Sequence, residues 1–311
     1  MKDKRNGIIS LVGKTPIIRL SSIEKYYGVG ARLFAKIERV NPSGSVKDRA
    51  ALFMVENAVE RGLIYDGVTV VEPTSGNMGI SLAMLSSFYG YHTVIIMPED
   101  MSCERVALIR AYGGEVILTD ANLGMCGAID LAVDMSKGKS VFMPSQFTNT
   151  MNTFAHYITT GREIYDDMQG MVDVFVSGVG TGGSLIGAGR YLKEQNKHIR
   201  LVAVEPRESA VISGGYSVNH GIQGIGAGFI PPLYDGALVD EVVSVDTDGA
   251  VAMTRQLAIR EGVLVGISSG AALCGAINVG KREENTDKNI VVLFPDGGEK
   301  YLSISGCFFT T

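Results

Sequence analysis

Short runs rich in valine and isoleucine alternate with amphipathic segments between residues 32 and 294, and this alternation restricts the fold more than any other feature. The pattern predicts strands at 32–38, 68–71, 93–97, 115–118 and 141–143, then at 172–177, 200–204, 241–245 and 290–294. Helical periodicity falls between them, at 46–61, 79–88, 105–112, 128–135, 184–195, 248–261 and 271–281. Strands that are apolar without alternation are buried on both faces, as in parallel sheets covered by helices on each side. A longer helix, 153–168, breaks the rhythm. The expectation is an α/β protein of two doubly wound domains with mostly parallel sheets. A smaller, mobile domain covers 38–149, and a larger one covers 1–37 plus 150–311. The glycine-rich, aperiodic stretch 206–235 is expected to be a functional loop.

Charge and cysteine usage narrow the function classes. A net charge of −5 over 311 residues gives no reason to expect nucleic acid or an anionic membrane as partner. No apolar run approaches the ~18 residues of a membrane span. Cys103, Cys126, Cys274 and Cys307 are scattered without a CxxC pair, which fits a reduced, cytoplasmic protein. His92, His156, His198 and His220 lack metal-ligand spacing, so no metal site is expected. Gly13-Lys14-Thr15 imitates the end of a P-loop, but the upstream glycine and the preceding strand are missing.

Four polar stretches at element junctions carry chemistry. In Asn41-Pro42-Ser43-Gly44-Ser45-Val46-Lys47-Asp48-Arg49, Lys47 falls in the first turn of a helix with Ser45 as N-cap. The positive helix terminus and partial burial both depress a lysine pKa there, which suits an amine that forms an imine. Its plain alternative is a solvated lysine beside Asp48. The second stretch, Gly178-Val179-Gly180-Thr181-Gly182-Gly183-Ser184, follows a strand and opens a helix, so its amides form an anion nest suited to phosphate. It also satisfies GxGxxG, and Glu205 ends the next strand where a dinucleotide fold places its ribose acid. An NAD-dependent oxidoreductase is therefore a rival from another class.

The third stretch is Pro73-Thr74-Ser75-Gly76-Asn77-Met78-Gly79. Thr74 and Ser75 are suited to a substrate carboxylate and Asn77 to a phenolic oxygen, with helix capping as the plain alternative. The fourth is Gly266-Ile267-Ser268-Ser269-Gly270, where a serine either caps a helix or faces a pyridine nitrogen and keeps that ring neutral. A reactive lysine, a phosphate nest, an amide and a hydroxyl are together the attachment points of pyridoxal 5'-phosphate.

On these motifs, in register from about residue 9 to residue 303, the chain resembles the cysteine synthase (O-acetylserine sulfhydrylase) family. This family belongs to the fold-type-II pyridoxal-phosphate enzymes, with cystathionine β-synthase. The resemblance implies a cofactor in the cleft between two domains, with Lys47 as the Schiff-base lysine and Asn77 on the 3′-oxygen. It places Gly180, Thr181, Gly182, Gly183 and Ser184 on the phosphate, Ser268 on the pyridine nitrogen, and Thr74, Ser75 and Gln146 on the substrate carboxylate. The implied reaction is a β-replacement that makes L-cysteine from O-acetylserine and sulfide through an aminoacrylate. The nearest alternatives share the cofactor: a cysteine or serine lyase releasing hydrogen sulfide, or a cystathionine-type β-replacement. A homodimer and binding of the serine acetyltransferase C-terminal tail are further implications.

The chain departs from the family in three places. Met78 replaces a threonine, Asn149-Thr150-Met151-Asn152-Thr153 lacks two prolines at 150 and 153, and 214–220 replaces a proline-rich turn. The loop 222–229 contains no acid or base, which favours acetate as a leaving group that departs without help.

Overall fold

The computed structural model describes residues 7–74, 76–304 and 306–308. The first half of the chain runs β1 (Ile17–Arg19), α1 (Ser21–Tyr27), β2 (Arg32–Ile37), α2 (Lys47–Glu60), β3 (Thr69–Pro73) and α3 (Asn77–Tyr89). It continues through β4 (His92–Pro98), α4 (Cys103–Ala111), β5 (Glu115–Thr119), α5 (Gly124–Ser136) and β6 (Val141–Phe142). An interrupted helical segment follows: α6 (Met151–Ala155), a π-helical turn (His156–Gly161) and α7 (Arg162–Asp167). The second half adds β7 (Val174–Gly178), α8 (Gly183–Gln195), β8 (Arg200–Pro206), β9 (Glu241–Val245), α9 (Thr247–Glu261), α10 (Ile267–Gly280) and β10 (Asn289–Phe294).

These strands form two sheets, of order β1-β2-β10-β7-β8-β9 and β5-β4-β3-β6. Among the described residues every pairing is parallel except β1 with β2. Each sheet is covered twice, as the unbroken apolar strands require. In β7, Val174 and Val176 pack with Leu257 of α9 and Leu273 of α10, whereas Phe175 between them packs on the opposite face with Ile164 of α7 and Leu185 of α8. In the four-stranded sheet, Val70, Ile95 and Met97 face Met54 of α2 and Leu82 of α3. Val71, Val94 and Ile96 face Ala128 and Ala132 of α5. The two-residue side-chain period of a strand produces this sorting.

Two local features differ from the expectation. The helix predicted at 153–168 starts at Met151 and passes through the π-helical turn. Gly161 and Gly187 let this segment lie against α8, since a Cβ on Gly187 would stand 2.2 Å from the Thr153 carbonyl. Second, α2 starts at Lys47, so Ser45 lies one residue outside the cap position. Its hydroxyl still accepts the Lys47 amide at 3.3 Å.

A buried ionic network joins the start of α2 to the larger sheet. Arg49 Nε donates to Glu38 Oε2 at 2.8 Å, and its Nη2 reaches Glu163 Oε2 at 2.7 Å. Lys36 of β2 pairs with Glu163 at 2.9 Å and donates to the Thr15 carbonyl at 2.6 Å. The Thr15 hydroxyl donates to Glu38 at 2.6 Å, so the Gly13-Lys14-Thr15 turn is a structural tie. Burial alone would raise both carboxyls. Charge and hydrogen bonds from Arg49 outweigh it, holding Glu38 below 4.5 and Glu163 at about 2.

Removing Arg49 strands Glu38 as a buried charge, so Arg49→Met is expected to cost about 3–5 kcal/mol, read as a lower urea midpoint at unchanged slope. Both carboxyls are lowered on folding. Their stabilisation is complete above pH 4.5 and drains as pH falls towards 2. Arg49→Met should flatten that acid limb of the stability curve.

Candidate active site

Lys47 opens α2 beside the C-terminal end of β10, where the Val46 amide donates to the Pro295 carbonyl at 2.8 Å. The side chain keeps a partly open surface, while the protein around it desolvates its amine. Burial lowers its pKa from 10.5 to about 8, against the pull of the Asp296 carboxylate. Roughly a tenth of the amine is therefore unprotonated at pH 7, far more than in an ordinary lysine. The depressed lysine expected from the sequence is present, with burial as its largest cause.

One cleft is lined by Lys47, Gly180, Thr181, Gly182, Ser184 and Ser268. Gly183 completes the loop as the first residue of α8. The loop is packed too closely for side chains at two points. A Cβ on Gly180 would meet the Gly224 carbonyl at 2.5 Å, and one on Gly183 would meet Asn152 Oδ1 at 2.0 Å. Gly224 belongs to the irregular stretch after β8, so that stretch forms a wall of the cleft. Asn152 Nδ2 donates to the Thr181 hydroxyl at 2.9 Å, and Ser184 Oγ lies 3.1 Å from His156 Nε2. The other ring nitrogen of His156 is 2.9 Å from the Thr160 hydroxyl. Burial, with Arg49 and Lys47 nearby, pushes the His156 pKa well below 6.5 and keeps the ring neutral. Neither Asn152 nor His156 was identified from sequence. Their shared spacing with Thr160, four residues each, is the signal that places all three on one helical face.

The dinucleotide reading of this loop fails on Glu205. Its carboxylate is buried and accepts the Ile212 amide at 2.8 Å and the Ser213 amide at 3.3 Å, besides the Ser213 hydroxyl. The expected ribose acid is instead the anchor of the loop that follows β8.

Asn77 is the first residue of α3, with Gly76 in the cap position, so its side chain serves another purpose. Its amide donates to Asp296 Oδ2 at 2.7 Å and its oxygen accepts from Lys300 at 3.1 Å. Tyr301 also donates to Asp296 Oδ2, at 2.7 Å. Asp296 Oδ1 is buried and lacks a hydrogen-bond partner among the described residues. The sequence reading missed this acid. Its signal was Pro295-Asp296-Gly297-Gly298, a turn at the carboxyl end of a parallel strand, where α/β folds bind ligands. Ser268 lies inside the first turn of α10, whose cap position is Gly266, so capping does not explain it.

The expected carboxylate residues cluster on the edge of the smaller sheet. Thr74 is buried after β3 and its hydroxyl accepts the Gly76 amide at 3.2 Å. Gln146 Nε2 approaches the Pro73 carbonyl at 3.4 Å. Ser75 lies outside the described residues. Gly76 has φ +142°, and a Cβ there would stand 2.0 Å from Arg105 Cδ, so both backbone and space require glycine. Met78 is fully buried in the cluster with Met54 and Leu82, and therefore belongs to the core beneath the loop rather than to the rim of the pocket. Among the described residues no group of three or more His, Cys, Asp or Glu could hold a metal ion, and no helix is long and apolar enough to cross a membrane.

A desolvated amine in one cleft with a glycine loop and hydroxyl side chains suits an aldehyde that carries a phosphate ester. With a cradle that excludes Cβ atoms, the residues present fit pyridoxal phosphate. Residues 8–296 match the family described as pyridoxal-phosphate dependent enzyme. A cysteine synthase of Staphylococcus aureus is 44% identical over 299 residues, 96% of each chain. The solved structure of a hydrogen sulfide-producing enzyme from Fusobacterium nucleatum, also 44% identical, has a TM-score of 0.92 and covers 96% of this chain and 99% of that one. A cysteine synthase from Entamoeba histolytica, 41% identical, gives 0.92 over 97% and 90%. The fold, the lysine-and-glycine cleft and these likenesses agree: the chain belongs to the pyridoxal-phosphate dependent enzymes.

Proposed function

We propose that this enzyme makes L-cysteine from O-acetyl-L-serine and sulfide by β-replacement. The observation that carries the reading is the desolvated Lys47 amine sharing one cleft with the 180–184 loop. Bound pyridoxal phosphate supplies the electron sink that lets the Cα–H and Cβ–O bonds of an amino acid break. Lys47 would hold the cofactor covalently and, once displaced, would accept the α-proton at Nζ, which a pKa of about 8 allows near neutral pH. Gly180, Thr181, Gly182, Gly183 and Ser184 would bind the phosphate, with Asn152 and His156 orienting the two hydroxyls. Asn77 would bond the 3′-oxygen while tied to Asp296, and Ser268 would face the ring nitrogen. Thr74, Ser75 and Gln146 would take the substrate carboxylate.

A smaller mobile unit of 38–149 fits the placement of all four strands of the second sheet between residues 69 and 142. A homodimer, a docked serine acetyltransferase tail and a cytoplasmic setting complete the proposal. The four free thiols suit a reducing compartment.

A second reading, cysteine breakdown with release of hydrogen sulfide, is favoured by one observation. A hydrogen sulfide-producing enzyme of known structure shares this fold at 44% identity over 96% of the chain.

Purified enzyme with O-acetyl-L-serine and sulfide should form cysteine, while L-cysteine alone should release little sulfide. The reverse outcome establishes the lyase reading. Lys47→Ala should lose the visible absorption of the bound cofactor and at least about 100-fold in rate. Gly180→Ala drives a Cβ into the Gly224 carbonyl and should weaken cofactor retention about tenfold, measured by dialysis and absorbance.

A further inference from the structure

Glu72 lies in β3, two residues before Thr74, and is fully buried. Its partners are two consecutive backbone amides: Ser145 N–H donates to Oε2 at 2.8 Å and Gln146 N–H to Oε1 at 2.9 Å. Consecutive amides converging on one carboxylate form an anion nest, here filled from within the chain. The turn that presents them is unusual. Ser145 has φ +58°, a left-handed conformation that serine seldom adopts. Its carbonyl accepts the amides of Thr148 and Asn149, each at 3.0 Å. From this turn Gln146 reaches the Pro73 carbonyl, beside Thr74. The Gln146 carbonyl in turn accepts Asn152 Nδ2 at 2.9 Å, the amide that also holds Thr181 of the glycine loop.

We propose that Glu72 is a positioning residue for substrate recognition. Its buried carboxylate fixes the Ser145–Gln146 turn, and so aims the Gln146 side chain at the substrate's α-carboxylate. The proposal rests on the role given to Gln146 under Proposed function. Thr74 and Gln146 come from distant parts of the chain, and Glu72 is the side chain that fastens one segment to the other. Burial raises its carboxyl from 4.5 to about 7, against the pull of the two amides. The groups that bear on its charge are those amides; among the described residues no charged side chain shifts it. Protonation turns one of the two oxygens into a hydroxyl, a weaker acceptor for its amide, so the turn should loosen as pH falls through about 7.

The test uses holoenzyme and propionate, a carboxylate without an amine, as a competitive inhibitor against O-acetyl-L-serine. Glu72→Gln should leave the visible absorption of the resting enzyme unchanged. It should raise the propionate Ki and the KM at least about tenfold and change kcat less than threefold. Unchanged Ki and KM overturn the proposal. If Glu72→Gln does not fold, the wild-type pH profile decides. A propionate Ki that rises between pH 8 and pH 6 supports the proposal, and a flat profile overturns it. Gln146→Ala separates the two ideas. An unchanged Ki in that variant removes the role of Gln146 itself. A raised Ki there with an unaffected Glu72→Gln removes only the positioning role.

Discussion

The Arg49–Glu38 pair is the interaction on which the rest of the site depends. It sits two residues beyond Lys47 and ties the first turn of α2 to the segment leaving β2. Through Glu163 the same guanidinium reaches α7, and through Lys36 the network returns to the larger sheet. A buried ion pair of this kind contributes little net stability against a hydrophobic replacement. What it contributes is position, because Arg49 presents several donors in a fixed fork and both carboxylates are bound to it. The start of α2, with its lysine, is thereby fixed to the sheet that carries the glycine loop.

Position matters because the cleft works by balancing desolvation against charge. Burial favours the neutral Lys47 amine, while Asp296 favours the ammonium, and burial prevails. His156 is driven in the same direction, so the imidazole beside Ser184 carries no charge towards the glycine loop. Positive character there comes from backbone amides and the start of α8, which are fixed dipoles that do not titrate. A phosphate bound there, as proposed, would be held by groups that do not titrate, whereas the amine is free to exchange its proton. The two requirements of the site are met by different physical means.

The parts legible in the sequence were those set by neighbouring residues. The stretches at 41–49, 73–79, 178–184 and 266–270 each meet the start of a helix, as expected, because glycine turns and helix termini are local chemistry. Buried parallel strands were likewise legible from unbroken valine and isoleucine runs. What escaped depends on strand order. β10 is inserted between β2 and β7, and this alone brings Asp296 beside Ser45 and Asn77. The same insertion explains why Lys300 reaches back to Gly44 at 3.0 Å. Glu205 was misread for the converse reason: its position after a GxGxxG strand imitates a ribose acid, but the chain folds its next turn onto the carboxylate.

The missing prolines at 150 and 153 bear on how the two halves of the cleft communicate. Thr150 and Thr153 replace them, and the Thr153 hydroxyl donates to the Thr150 carbonyl at 2.8 Å, while the Asn149 side chain accepts the Met151 amide at 3.0 Å. Rigidity that proline would impose through φ is thus replaced by hydrogen bonds that can open. Asn152 stands between these two threonines and is the link from the Gln146 turn to Thr181. Through Asn152 a single side-chain amide holds both the turn that carries Gln146 and the glycine loop.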